Sequence, residues 1–335
     1  MYSISKQTIC EYIWLGGNGE IRSKTRVFHN NISTIPDWNY DASSTNQAPS
    51  DGNTEGNLKP VLVLNVPSCL WKYNNCKCLL VLCETYDISG NPLKGNNRAK
   101  ANNIFNSKLE EIPWFGLEQE YFIQYNEIGK FNIFHGNKQH YCSNKNKSEE
   151  REIVEKHLNA CIEIGLKISG LNAEVAPSQW EFQIGPCEGI EAADQLIIAR
   201  YLLEKICQQY DAYPYYNPKP YSDFNGSGCH INFSTENSRS KNGIEYLYKY
   251  IEKLEKNHKN TLTHYGENNH LRLTGLHETS SMDTFSYGIG TRNTSIRIPN
   301  QVVKDNCGYL EDRRPAANID PYDATSALFE AIVRE

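Results

Sequence analysis

The sequence predicts an α+β protein in two domains, a small β-rich one over residues 1–90 and a larger mixed one over residues 91–335. Three observations carry that expectation. Strand-like apolar runs fill the chain up to Tyr86, whereas the long helical spacings all begin after residue 147. The polar stretch DISGNPLKGNN, residues 87–97, has the composition of a linker between them. A length of 335 residues also exceeds the usual single-core domain.

Residues 11–34 place strand-like runs around LGGNGE, a turn signal, and read as a hairpin. DWNYDASSTNQAPSDGNTEGN, residues 37–57, is so rich in Gly, Ser, Asn and Asp that it reads as a long loop. Strands over KPVLVLNV (59–66) and CKCLLVLCETY (76–86) complete the first domain. In SEEREIVEKHLNACIEIGL (148–166), Ile153, Val154, Leu158, Cys161, Ile162 and Leu166 recur at helical spacing, behind an acidic first turn that suits the helix dipole. EAADQLIIARYLLEKICQQY (191–210) and GIEYLYKYIEKLEKNH (243–258) read as two more amphipathic helices. Short strands are expected at PWFGLEQEYF (113–122), SQWEFQIGP (178–186), GCHINFS (228–234) and GYLEDRRP (308–315).

A composition of 39% apolar and 22% charged residues is that of an ordinary globular protein. The net charge of −6, with no Lys/Arg run, argues against a nucleic-acid partner. There is no apolar run of about 18 residues, and MYSISKQTICEY lacks the apolar core of a signal peptide, so a cytoplasmic protein without membrane insertion is expected. The 11 cysteines agree: they are odd in number, scattered and never spaced C-x-x-C, as reduced thiols are. Cys76 and Cys78 form a tight pair, but no second Cys/His pair has the spacing to complete a zinc site.

Chemistry enters through the strands. In a strand alternate side chains share a face, so Glu118 and Glu120 project together while Phe115, Leu117 and Tyr121 face the other way. Likewise Gln179, Glu181 and Gln183 oppose Trp180, Phe182 and Ile184, His230, Asn232 and Ser234 oppose Ile231 and Phe233, and Tyr309, Glu311 and Arg313 align. A half-solvated sheet explains an apolar and a polar face. It does not explain why the polar residues are Glu, Gln, His and Asn with little Lys among them. Carboxylate oxygens with an occasional imidazole are what hard divalent cations take as ligands, so Glu118, Glu120, Glu181, His230 and Glu311, with Glu174 just upstream of one strand, are candidates for two oxygen-rich metal sites. Arg272, Arg292, Arg297, Arg313 and Arg314 crowd the C-terminal stretch with LHET (276–279), and guanidinium groups beside divalent ions form a clamp for phosphoryl transfer. There is no P-loop, no G-x-G-x-x-G fingerprint and no H-E-x-x-H helix.

WNYDASST, PWFGLEQEY, NAEVAPSQWEFQIGPCEGI, DFNGSGCHINFST, RLTGLHETSSMDTFS, TRNTSIRIP and GYLEDRRPAANIDPY occur in this order over nearly the whole chain. In that order they resemble the signature blocks of eukaryotic-type glutamine synthetase. The resemblance implies a small N-terminal β-grasp domain and a catalytic domain whose curved antiparallel sheet, flanked by helices, forms a funnel-shaped site. It implies ATP-dependent ligation of ammonia to the γ-carboxylate of L-glutamate through γ-glutamyl phosphate, with Mg²⁺ or Mn²⁺ as cofactor.

By motif position, Glu120, Glu174 and Glu181 would hold one ion and Glu118, His230 and Glu311 the other. Glu278 would close the site and help deprotonate ammonium. Asp41, assisting ammonium binding, and Ser44 would come from a neighbouring subunit of a ring, the expected assembly being a decamer of two stacked pentamers. Arg272 would hold the glutamate carboxylate, with Arg297, Asn225 and Gly226 as further substrate contacts. Arg292 and Arg313 would stabilise the transferring phosphoryl group, and Asn232, Ser234 and Tyr309 would contact the nucleotide. Two alternatives stay open on the residues alone: a non-catalytic relative that keeps the fold, and a ligase joining glutamate to a larger amine.

Overall fold

Residues 7–71, 73, 76–125, 140–144 and 148–333 are described by the structure, a computed structural model. The chain divides into two compact units, residues 1–100 with 160–165, and residues 101–159 with 166–335.

The first unit contains β1 (Thr8–Leu15), β2 (Ile21–Phe28), β3 (Trp38–Asp41), β4 (Glu55–Asn65) and β5 (Lys77–Tyr86), in the order β2-β1-β5-β4-β3. The hairpin read around LGGNGE is β1–β2, paired antiparallel from Leu15↔Ile21 outward. β1 and β5 run parallel at the centre, and the other neighbours are antiparallel. The period of two builds the core: Cys10, Tyr12 and Trp14 of β1 meet Leu79, Val81 and Cys83 of β5, with Tyr40 and Leu58 from the outer strands. The expected β-grasp is met in part. The mixed sheet with its parallel central pair is present, and up to Tyr86 the described residues have a single helical stretch, the 3-10 turn Ala42–Thr45. The long loop expected over 37–57 is shorter than its composition suggests, because β3 and the start of β4 lie inside it and pair with each other from Trp38↔Leu58 to Asp41↔Glu55.

The second unit is a sheet and the helices packed on it. Its strands are β6 (Trp114–Tyr125), β7 (Ile168–Ala173), β8 (Gln179–Glu188), β9 (Ala212–Tyr215), β10 (Cys229–Ser234), β11 (Tyr287–Ile289), β12 (Ile296–Ile298) and β13 (Leu310–Asp312), in the order β11-β12-β13-β10-β6-β8-β7, with β9 also on β6. Register shifts in the β6–β8 and β7–β8 pairs are the bulges that bend such a sheet. The antiparallel pattern expected throughout has one exception, the parallel pair β11–β12.

The helices are α1 (Asn97–Asn106), α2 (Ser148–Glu163), α3 (Glu191–Cys207), α4 (Glu236–Arg239), α5 (Ile244–Lys256), α6 (His258–Leu262), α7 (Asn300–Asp305) and α8 (Pro321–Val333). α3 is not the amphipathic helix of the sequence reading: it is buried nearly all round, between the sheet and α8, with Asp194, Gln195 and Arg200 buried among its apolar residues. α5 is amphipathic, burying Ile244, Leu247, Tyr250, Ile251 and Leu254. α1, α4, α6, α7, α8, β7, β9, β11 and β12 escaped the sequence reading, and most of the polar stretch 126–151 lies outside the described residues.

Candidate active site

β6 is the spine of the site, and its register decides which acids meet. Antiparallel pairing sets His230 of β10 opposite Glu118 and Glu181 of β8 opposite Glu120, while β13 brings Glu311 opposite Asn232. Neighbours on one strand are thus dealt to opposite sides. One ligand atom each from Glu118, His230 and Glu311 lies within 4.8 Å of the other two, and so do those from Glu120, Glu174 and Glu181. All six line one cavity of about 230 Å³. The two trios that the resemblance implies as ligand sets are each brought together here.

The donor chemistry fits two hard cations. Burial, then the Glu174 charge, pushes the Glu120 carboxyl up to about 8. Burial raises Glu174 to about 7, and burial with the Glu118, Glu120 and Glu174 charges holds Glu181 well above its ordinary value. Burial and then the Arg313 charge keep His230 far below its usual value, hence neutral and able to ligate. Carboxylates so crowded release their protons when a cation binds.

Without metal, the folded form holds protons on this cluster between the ordinary 4.5 and about 8 that the unfolded chain has lost. The contribution to stability is therefore full below about pH 4.5 and is lost as pH rises toward 8. In chelator the melting midpoint should decline from this cluster over that window, and millimolar Mg²⁺ should raise it most at the alkaline end. A midpoint shift by Mg²⁺ that is the same at pH 5.5 and 8 would contradict this.

The arginines close the other side. Arg313 donates to Glu311 at 2.5 Å, to the Arg292 carbonyl at 3.0 Å and to the Glu278 carbonyl at 3.3 Å. Arg297 donates to Glu311 at 2.8 Å, and its buried Nε has no hydrogen-bond partner. Arg272 is anchored by its Nη2 on the carbonyls of Arg313, Arg314 and Pro315, at 3.0, 2.8 and 2.9 Å, and burial lowers it to about 10. Arg314 departs from the cluster expected of it. It lies two residues past the end of β13 and is turned away from the cavity, fully buried against Asp312.

Glu278 and His277 both have positive φ, +63° and +52°, a conformation that costs energy for residues with a Cβ and often marks a working loop. The Glu278 carboxylate lies 3.9 Å from Arg292 and 3.4 Å from the Asn225 amide. At Gly226 a Cβ would stand 2.3 Å from the Pro218 carbonyl, so the wall there admits only glycine.

Residues 106–334 match the family described as glutamine synthetase, catalytic domain. Over 336 residues the chain is 44% identical to the glutamine synthetase of Saccharomyces cerevisiae, covering 97% of this chain and 89% of the yeast one. It belongs to the glutamine synthetase family. A glutamine synthetase-like protein of Acanthamoeba polyphaga mimivirus is 50% identical over 98% of this chain and 95% of its own. The chloroplastic glutamine synthetase of Daucus carota is 44% identical over 96% of this chain and 76% of its own.

Beside the acidic cavity of this glutamine synthetase fold lies a second, of about 460 Å³, lined by Asn232, Ser234 and Tyr309 among others. The two share Glu118 and Gln183. Sequence reasoning missed Trp114 and Arg239 in that second cavity, where the guanidinium stacks 4.0 Å from the ring centre. It also passed over Asn172, which donates to Glu174 at 2.9 Å, and Gln179, which reaches Glu120 at 3.3 Å. The polar face of β8 was the signal for Gln179. Nothing local marked Asn172. Asp41 and Ser44 line neither cavity: they sit in the first unit, where the Ser43 and Ser44 hydroxyls donate to Asp41 at 2.6 and 2.7 Å and hold its carboxyl down at about 2. Among the described residues no helix is long and apolar enough to cross a membrane.

Proposed function

We propose that this member of the glutamine synthetase family joins ammonia to the γ-carboxylate of L-glutamate at the expense of ATP, by way of γ-glutamyl phosphate. The observation that carries the reading is the pair of three-residue ligand clusters on one sheet face, walled by arginines and adjoining a second cavity. In this reading Glu118, His230 and Glu311 hold one Mg²⁺ and Glu120, Glu174 and Glu181 the other, with Mn²⁺ suited to the same ligands. Bound there, the ions neutralise phosphate charge and polarise the oxygens of the transferring group.

The remaining work falls to the chain's own side chains. Arg272, its guanidinium fixed on backbone carbonyls, grips the glutamate carboxylate beside Asn225 and Gly226. Arg292 and Arg313 receive the charge of the phosphoryl group as it passes from ATP to glutamate. The orphan Nε of Arg297 would be satisfied by an anionic substrate oxygen. The second cavity takes the nucleotide against Asn232, Ser234 and Tyr309.

Glu278, on its strained loop, closes over the acyl phosphate, keeps water out and takes a proton from ammonium. Asp41, held ionised by Ser43 and Ser44, completes the ammonium subsite from a neighbouring subunit, which requires a ring, in the expected form a two-ring decamer. Residues 1–90 then serve as the domain that carries this loop, and residues 91–335 as the catalytic domain. None of the 11 cysteines is in a disulfide, which supports a reducing, cytoplasmic setting.

The test is γ-glutamyl hydroxamate formation from glutamate, ATP and hydroxylamine, with light scattering on the same sample. Product that depends on glutamate, ATP and Mg²⁺, from a large oligomer, is expected. No product from a well-folded ring would refute the catalytic reading. Glu278→Ala should lower ammonia-dependent glutamine formation by about 10²-fold or more. Undiminished turnover would remove Glu278 from the mechanism.

A further inference from the structure

The acidic first turn of α2 has the composition of a solvated helix start, yet Glu150 within it is only 2% exposed. A buried carboxylate needs hydrogen bonds to offset its desolvation. Glu150 accepts one from the Ser178 hydroxyl on Oε1, at 2.7 Å, and one from the Trp180 indole on Oε2, at 3.2 Å. Both donors belong to the turn and first residues of the strand between Glu174 and Glu181.

That turn is under constraint. Ser178 has φ +56°, in the left-handed region. The Glu174 amide donates to the Gln179 carbonyl at 2.8 Å, and the Ser178 carbonyl accepts from the Ile123 amide at 2.9 Å. Gln179, between the two residues that Glu150 grips, sends its own amide to Glu120. Trp180 and Glu181 are strand neighbours on opposite faces, so the indole anchored on α2 sets the direction in which Glu181 points. The Arg151 guanidinium covers the same indole at 5.0 Å. Neither Glu150 nor Arg151 lines the acidic cavity.

We propose that Glu150 is a positioning residue for the Glu120, Glu174 and Glu181 metal site: it clamps the Ser178 turn and the Trp180 indole, leaving the Glu118, His230 and Glu311 site independent of it. The inference rests on the reading of these two groups as cation sites. A partner that orients ligands without touching the ion acts on affinity for that ion.

The experiment is a Mn²⁺ titration of the full-length protein, following free Mn²⁺ by electron paramagnetic resonance, for the parent chain, Glu181→Gln, Glu150→Ala and Glu150→Gln. Glu181→Gln should lose one class of site. Glu150→Ala should weaken that same class by roughly 10-fold and spare the other. Glu150→Gln, whose amide oxygen can still accept from the indole, should recover most of the loss.

Parent-like binding by Glu150→Ala alongside a lost class in Glu181→Gln overturns the clamp, as does an equal weakening of both classes. Parent-like binding by Glu181→Gln refutes the cation-site reading itself. Should Glu150→Ala fail to fold, Ser178→Ala and Trp180→Phe each remove one bond. Smaller losses confined to the same class are expected from them, and parent-like binding in both overturns the proposal.

Discussion

Glu311→Gln is expected to cut γ-glutamyl hydroxamate formation by at least about 10²-fold, since loss of a group merely supporting a metal ligand already costs about 10- to 100-fold. The carboxylate is 2% exposed and serves several partners at once. His230 Nδ1 lies 3.7 Å away, Arg297 donates at 2.8 Å and Arg313 at 2.5 Å. Glutamine keeps the shape but removes the charge, so two guanidinium groups lose their counter-ion and, in the proposed reading, a cation loses an anionic ligand. Saturating Mn²⁺ should restore only part of the rate, because the two arginines remain mis-set. Parent-like activity would exclude Glu311 from the site.

Asp312→Ala, one residue along the same strand, should act on stability. Asp312 and Arg314 are both fully buried, joined at 2.6 Å, and Tyr265 donates to the same carboxylate at 2.8 Å. His258 lies 3.0 Å from the guanidinium. Removing one partner of a buried pair leaves the other charge unpaired in a medium that solvates it badly, at a cost of about 3–5 kcal/mol. The apparent melting midpoint should then fall by roughly 10 °C. Removing both charges together, as Asp312→Leu with Arg314→Met, should recover much of the loss, since a matched apolar pair avoids the desolvation. A double variant as unstable as the single one would show that the network does more than neutralise itself.

The strand-borne members of both clusters were legible because strands alternate: once Glu118 and Glu120 share a face, their partners must come from neighbouring strands with the same parity, and Glu181, His230 and Glu311 qualify. The register that separates the two acids was not legible, because it depends on pairing between segments far apart in the chain. Arg314 joined the arginine group only by its place in the sequence, and the alignment of Tyr309, Glu311 and Arg313 already set it apart from the cavity side, although β13 itself ends at Asp312. α3 was read as amphipathic because charges interrupt its apolar run, yet Arg200 is buried, its Nε donating to Gln119 at 2.8 Å. The 37–57 segment was read as a loop on composition, whereas pairing between β3 and β4 overrides the weak strand preference of Asn and Asp.

The tetrad Glu311, Asp312, Arg313, Arg314 has a consequence for error tolerance. Slide it by one residue and Asp312 with Arg314 would replace Glu311 with Arg313 at the cavity, a nearly synonymous reading of acid and base. Charge by itself therefore cannot proofread the register of this strand. Leu310 does: it is fully buried opposite Phe233, and a slip would drive Glu311 into that apolar slot. The fidelity of the catalytic alphabet is kept by a leucine with no chemistry of its own.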